Sequence, residues 1–164
     1  MRWCVLVMMM AAVAEAEVIV DEDPAATCRA AHASGTAACP RHVVRQGDRI
    51  QLRTKIVWEI DKAIIRRSSM VVVQELARYL NERPEIELVE IQGHSGFEES
   101  YGAPLSDRRA RALLAALVHF GVAPGRLASN GYGESVPLVL PKTRADRVKN
   151  TRMELVIRKR SGRL

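Results

Sequence analysis

The alternation of apolar and polar residues from Ile50 to Ile60 marks the first regular segment of the chain. Apolar residues fall on one parity and polar or charged residues on the other, with Val57 as the apolar exception. Because a period of two is typical of a strand with one buried face, the segment predicts one half-buried strand or two consecutive short strands. The positions expected to face the core are Ile50, Leu52, Thr54, Ile56, Trp58 and Ile60.

An amphipathic helix is predicted next, from apolar residues spaced three and four apart. Ser68 and Ser69 are its candidate N-caps, and Pro84 ends it because proline cannot continue a helix. Its apolar face is Val72, Val73, Leu76, Tyr79 and Leu80.

A strand follows this first helix. Val89 and Ile91 are expected to point inward and Glu90 and Gln92 outward, and the strand ends at Gly93.

A second helix begins at Leu105 and Ser106, where Ser106 is the candidate cap, and ends at Gly121 and Pro124. Its apolar face is Ala110, Leu113, Leu114, Leu117 and Phe120.

The C-terminal part contains two more strands, one within 127–132 and one that carries Met153, Leu155 and Ile157. A helical turn is expected near 143–149. The order β-α-β-α-β-β predicts an α+β fold, a two-layer sandwich with two main helices on one face of a small mixed sheet.

The N-terminus is expected to be an export signal over residues 1–16, because a short apolar stretch follows Arg2 and ends in small residues. The alternatives are a buried N-terminal element or a misplaced start codon. The remaining predicted boundaries are a cysteine-containing linker at 17–47, the folded domain at 48–160 and a basic tail at 161–164. The apolar stretch is too short to span a bilayer, so we expect no membrane-spanning segment in the mature chain.

Cys28 and Cys39 lie in the predicted linker, in a stretch of small and polar residues without a clear period. In an oxidising compartment such a pair most simply forms a disulfide. Zinc ligation together with His32 and His42 is a second option, although closed zinc sites usually separate their ligand pairs by more residues. Free thiols are the third.

Composition restricts the functional classes. The chain has 164 residues, and its 25 Lys and Arg against 19 Asp and Glu give a net charge of +6, which favours anionic partners. Aromatic residues make up only 4%, which argues against a surface that stacks nucleic-acid bases, so no nucleic-acid partner is expected.

Catalytic and cofactor motifs do not fit. The run from Gly93 to Gly96 lacks the residue that a nucleophile elbow places between serine and the second glycine. His94 without a visible partner is more typical of a structural residue than of a general base. We therefore expect neither an enzyme nor a cofactor or metal.

Three arginines, Arg108, Arg109 and Arg111, lie in the predicted first turns of the second helix. The helix dipole disfavours positive charge there. One interpretation is that they form a solvated face paired with Asp107. The other is that one of them points into a cleft and binds a ligand carboxylate, which a guanidinium can hold with two parallel hydrogen bonds.

Several motifs in the correct order resemble the OmpA-like C-terminal domain family, which includes peptidoglycan-associated lipoproteins and the periplasmic parts of flagellar stator proteins. The resemblance covers about Arg49 to Arg158. The motifs are Gly93-His94-Ser95, Leu105-Ser106-Asp107-Arg108-Arg109-Ala110, Gly131-Tyr132-Gly133-Glu134-Ser135 with Pro137, Arg147, and Asn150-Thr151-Arg152-Met153-Glu154.

This resemblance implies the same β-α-β-α-β-β fold and non-covalent binding of peptidoglycan through the diaminopimelate of its stem peptide. It also implies a location in the periplasm, associated with the outer membrane. In the family, an Asp after Gly-His-Thr meets the ligand's ammonium group and the Arg of Leu-Ser-x-x-Arg-Ala meets its carboxylate. The arginine role carries over to Arg109.

The ammonium role does not carry over, because Gly96 stands at the position of the family's Asp. Glu98 or Glu99 in the shortened loop is a candidate substitute, and the alternative is that both are solvated loop acids. Supporting contacts are expected from Ser95, Asn150 and Arg152, although Arg152 could equally form a cross-strand pair with Glu154.

A second hypothesis is that the peptidoglycan site has degenerated and that the domain is a scaffold module for another envelope protein. The glycine at position 96, and Gly102 where the family has Asn, motivate it.

Overall fold

The computed structural model describes residues 42–96 and 102–162. The strands are β1 (Val43–Gln46), β2 (Arg49–Leu52), β3 (Ile86–His94), β4 (Leu127–Gly133) and β5 (Arg152–Arg160). The helices are α1 (Met70–Asn81), α2 (Gly102–His119) and α3 (Arg144–Asn150), and short 3-10 turns cover Arg67–Ser69 and Pro124–Arg126.

The five strands form one mixed sheet in the order β1-β2-β5-β3-β4. Strands β3 and β4 are parallel, and the other neighbouring pairs are antiparallel. The inward residues of β3 and β5 and the apolar faces of α1 and α2 join one buried core, which confirms the predicted α+β fold and the mixed sheet. Fully buried members include Leu76, Ile91, Leu113, Leu117 and Leu155.

The prediction of a strand through Ile60 was wrong. Strand β2 ends at Leu52 and pairs with β5 at two positions only, and an additional strand, β1, forms a hairpin with it. Residues 53–66 form an irregular loop held by an isolated bridge between Trp58 and Ile65, and Ile60 is 79% exposed. Alternation describes a local preference, whereas a strand also needs a neighbour with which to pair. The sheet therefore begins at Val43, inside the segment assigned to the linker.

Ser69 is the N-cap residue of α1, as predicted, although its hydroxyl makes no capping hydrogen bond, whereas α2 begins before its predicted cap. Helix α2 begins at Gly102, and the hydroxyl of Ser106 accepts a hydrogen bond from the N–H of Gly133 at 3.1 Å instead of capping the helix. Ser69 precedes α1, but its hydroxyl accepts from the N–H of Val57 at 2.9 Å. Both serines thus fasten a helix start to a neighbouring segment.

The helical turn expected near 143–149 is the helix α3. Thr143 caps it, and the side chain of Asp146 accepts a hydrogen bond from the N–H of Thr143, which completes a capping box.

The predicted signal at 1–16 and both Cys28 and Cys39 lie outside the described residues, so cleavage and the disulfide stay predictions. Of the four zinc candidates only His42 is described, and its Nδ1 lies 2.8 Å from the Thr54 hydroxyl. Among residues 42–96 and 102–162, no three His, Cys, Asp or Glu side chains are grouped as a metal site requires. No helix in these ranges is both long and apolar enough to cross a bilayer.

Candidate functional site

A cleft of about 320 Å³ lies where β2, β5 and the end of β3 meet the loop 53–66. Its lining combines apolar walls with several charged side chains. The lining residues are Arg49, Ile50, Gln51, Leu52, Lys55, Ile56, Trp58, His94, Arg109, Leu138, Thr151, Arg152, Met153, Glu154 and Leu155.

Arg109 reaches this cleft from α2 and is only 6% exposed. Its Nε donates to the backbone carbonyl of Lys62 at 3.1 Å, and its guanidinium carbon lies 5.6 Å from the centre of the Trp58 ring. The loop 53–66 thus folds against the guanidinium, and the planar group has a fixed orientation.

The close approach of α2 to the sheet places Arg109 there. A Cβ added at Gly93 would lie 2.2 Å from the backbone oxygen of Ser106, so only glycine permits this contact. The other two arginines are not part of the cleft: Arg108 is exposed, and Arg111 forms an ion pair with Asp107 at 3.0 Å. Of these three arginines, only Arg109 lines the cleft.

Arg152 lines the cleft from the start of β5, where it also serves the fold. Its Nε donates to Glu154 Oε1 at 2.6 Å, and its Nη1 and Nη2 donate to the carbonyls of Asn150 and Val136. The other oxygen of Glu154 accepts from Arg49 on β2. Burial alone would raise the pKa of Glu154, but the hydrogen bond from Arg152 and the charges of both arginines lower it. The pairing of Arg152 with Glu154 is therefore present, within one strand rather than across two.

His94, at the end of β3, lines the same cleft and is only 4% exposed. Its ring stacks on Tyr132 at a centroid distance of 5.4 Å. Neither ring nitrogen has a hydrogen-bond partner among the described residues. Burial, together with the charge of Arg152, lowers the pKa of His94, so the ring is neutral at pH 7.

Ser95 and Asn150 are both buried beside the cleft rather than on its described lining. The side-chain oxygen of Asn150 accepts from the N–H groups of Leu138 and Val139, and its amide group donates to the Val139 carbonyl. The N–H of Ser95 donates to the Gly133 carbonyl, while its hydroxyl has no partner among the described residues.

Gly96 cannot carry a side chain in this fold. A Cβ at this position would lie 2.3 Å from the backbone oxygen of Arg147 in α3. Its N–H donates to the hydroxyl of Thr151 at 2.9 Å. The candidate substitutes Glu98 and Glu99 lie outside the described residues, so their role stays a prediction.

Sequence patterns do not point to four residues of the site: Trp58 and Lys62, which contact Arg109, and Arg49 and Lys55, which line the same cleft. Trp58 and Lys62 belong to the loop that was predicted as a strand, so their convergence on α2 had no sequence signal. Arg49 and Lys55 share the polar parity of that segment, which indicated exposure but not a common cleft.

A model of the OmpA family matches residues 57–151. The chain is 36% identical over 113 residues to outer membrane porin F of Pseudomonas fluorescens, an alignment that covers 68% of this chain and 34% of that protein. The chain therefore spans about a third of the length of this curated relative.

Solved structures with the same fold include the periplasmic domain of MotB from Helicobacter pylori. Its TM-score is 0.60 at 18% identity, with 73% of this chain and 79% of that chain covered. The peptidoglycan-associated lipoprotein from Burkholderia pseudomallei aligns with a TM-score of 0.55 at 24% identity, covering 63% and 89% of the two chains. This chain belongs to the OmpA family.

Proposed function

We propose that this domain binds peptidoglycan non-covalently in the periplasm, at the outer membrane, and that Arg109 receives the side-chain carboxylate of diaminopimelate in the stem peptide. The observation that carries the proposal is the burial of Arg109 in the cleft, beneath Trp58 and the loop 53–66. A guanidinium held in this way has lost its conformational freedom before any ligand arrives, so binding does not incur that entropic cost again.

The family membership supports the same function, since one solved relative is named a peptidoglycan-associated lipoprotein. Arg152 also lines the cleft and adds positive charge, and Ser95 and Asn150 hold the adjoining segments in place. Binding of this kind involves no covalent chemistry, in agreement with the prediction that the domain is not an enzyme.

Replacing Arg109 by alanine is expected to abolish co-sedimentation with purified diaminopimelate-type sacculi. Each hydrogen bond to a charged group is worth about 1.5–3 kcal/mol, so losing even one weakens binding by at least about tenfold. Pelleted and soluble fractions of the full chain are compared at fixed ionic strength.

Arg108→Ala is the matched control, because it removes the same charge from the exposed side of the same helix. Arg109→Lys retains the charge but not the planar fork, and it is expected to bind weakly while thermal unfolding reports that it remains folded. Unchanged sedimentation of a folded Arg109→Ala variant contradicts the site. Failure of the wild type to sediment favours instead the hypothesis of a scaffold module for another envelope protein.

A further inference from the structure

The described lining of the Arg109 cleft is strongly cationic. Arg49, Lys55, Arg109 and Arg152 carry positive charge at neutral pH, and Glu154 is the acidic residue among the described lining. Arg109 and Arg152 are largely buried, so their charges are screened less than those of the exposed Arg49 and Lys55. An anionic group entering the cleft is therefore favoured, and a cationic group is disfavoured.

Glu154 is poorly suited to receive an ammonium group. Its Oε1 accepts from Arg152 and its Oε2 from Arg49, so each oxygen already has a cationic partner. An incoming ammonium would have to share an oxygen of Glu154 with an arginine and would then lie beside a guanidinium whose positive charge repels it.

Position 96 cannot contribute an acid either. The contact between Gly96 and the carbonyl of Arg147 leaves no room for a Cβ, and the hydrogen bond from Gly96 to Thr151 fixes the two segments together. An aspartate there would require α3 to move away from β3.

His94 gives a second indication, independent of the charges, that the cleft binds a ligand. It is a buried polar side chain on the cleft lining, and both ring nitrogens lack a partner among the described residues. Buried polar groups in folded proteins are nearly always hydrogen-bonded, so the missing partner is expected to be a bound molecule or water. The neutral ring can donate one hydrogen bond, which a carboxylate accepts.

From these observations we infer that the cleft recognises its ligand as a carboxylate anion, through Arg109 and His94, and does not require the ligand's ammonium group. The inference rests on the proposed function, since it specifies which part of the diaminopimelate side chain the same site reads.

The test uses three soluble stem peptides and isothermal titration calorimetry with the full chain. The first carries free diaminopimelate, the second has its side-chain amine acetylated, and the third has its side-chain carboxylate amidated. Acetylation is expected to change Kd by less than about threefold, whereas amidation, which removes the charge-assisted hydrogen bonds, is expected to raise it by more than about tenfold.

His94→Phe retains the stacking on Tyr132 but removes both nitrogens, and it is expected to raise Kd several-fold for the free and the acetylated peptides alike. His119→Phe, at the exposed end of α2, is the matched control and is expected to leave Kd unchanged.

The outcomes distinguish a failure of this inference from a failure of the proposed function. If acetylation weakens binding as much as amidation does, peptidoglycan binding stands, the inference fails, and the clamp by Glu98 or Glu99 is supported. If no peptide binds, not even the unmodified one, the proposed function fails and the inference fails with it.

Discussion

Replacing Gly96 by aspartate is expected to destabilise the domain instead of restoring the family's ammonium partner. The new Cβ would lie 2.3 Å from the carbonyl oxygen of Arg147, a backbone atom that cannot rotate out of the way. Forcing additional atoms into a packed site usually costs about 1–3 kcal/mol, and we expect the upper end because α3 must shift as a unit. Urea unfolding followed by circular dichroism measures the loss.

Two further glycine variants test whether the added Cβ is what destabilises the domain. Gly96→Ala adds only the Cβ and is expected to be nearly as destabilising as the aspartate. Gly125→Ala, where a Cβ meets no atom within 4 Å, is expected to change the free energy of unfolding by less than about 0.5 kcal/mol. A stable Gly96→Asp variant that binds diaminopimelate peptides more tightly than the wild type would contradict both the packing argument and the carboxylate-only cleft.

Replacing Glu90 by glutamine is expected to lower stability by about 2 kcal/mol at neutral pH, because an amide nitrogen cannot accept the hydrogen bonds that one carboxylate oxygen receives, and its donors are left without an acceptor. Glu90 lies on the sheet face without helices and is 7% exposed. One oxygen accepts from Asn130 and Tyr132, and the other accepts from Gln92 and Arg158. Burial alone would raise the pKa of Glu90, but these hydrogen bonds lower it from 4.5 to about 2.

The pH dependence follows from the sign of that pKa shift. A carboxyl whose pKa is lower in the folded state stabilises the fold fully above pH 4.5 and loses this contribution as the pH falls toward about 2. The stability difference between wild type and Glu90→Gln should therefore be largest above pH 5 and shrink through this window. We expect less than the full linkage value of about 1.4 kcal/mol per pKa unit, because Arg158 is half exposed and screened by water.

Glu87→Gln on the same strand is the control for this prediction. Glu87 pairs with Lys159 at the surface, where such a bridge contributes about 0–1 kcal/mol, so a small effect with little dependence on pH is expected. A pH-independent difference for Glu90→Gln, or a loss no larger than that of Glu87→Gln, would show that the four hydrogen bonds do not hold the carboxylate ionised.

The spacing of apolar residues was sufficient to predict the two main helices and the faces that they bury. The spacing of Val72, Leu76 and Leu80 and of Leu113 and Leu117 placed both helix faces in the core, as the structure confirms. It failed at 53–66, because the alternating side chains there have no neighbouring strand with which to pair beyond Leu52. The prediction that Glu90 and Gln92 face away from the helices named the correct face but not their burial, which depends on Asn130 and Tyr132 from another strand.

The sequence by itself determined the order of the elements from α1 onward, the apolar faces of the helices and the family, because each depends on local spacing or on short motifs. Only the tertiary structure decided that Arg109 is buried against the loop 53–66, that Glu154 is already neutralised by two arginines, and that no side chain fits at position 96. These features depend on distances between segments far apart in the chain, and such distances are set by how helices and strands pack rather than by the residues next to each position.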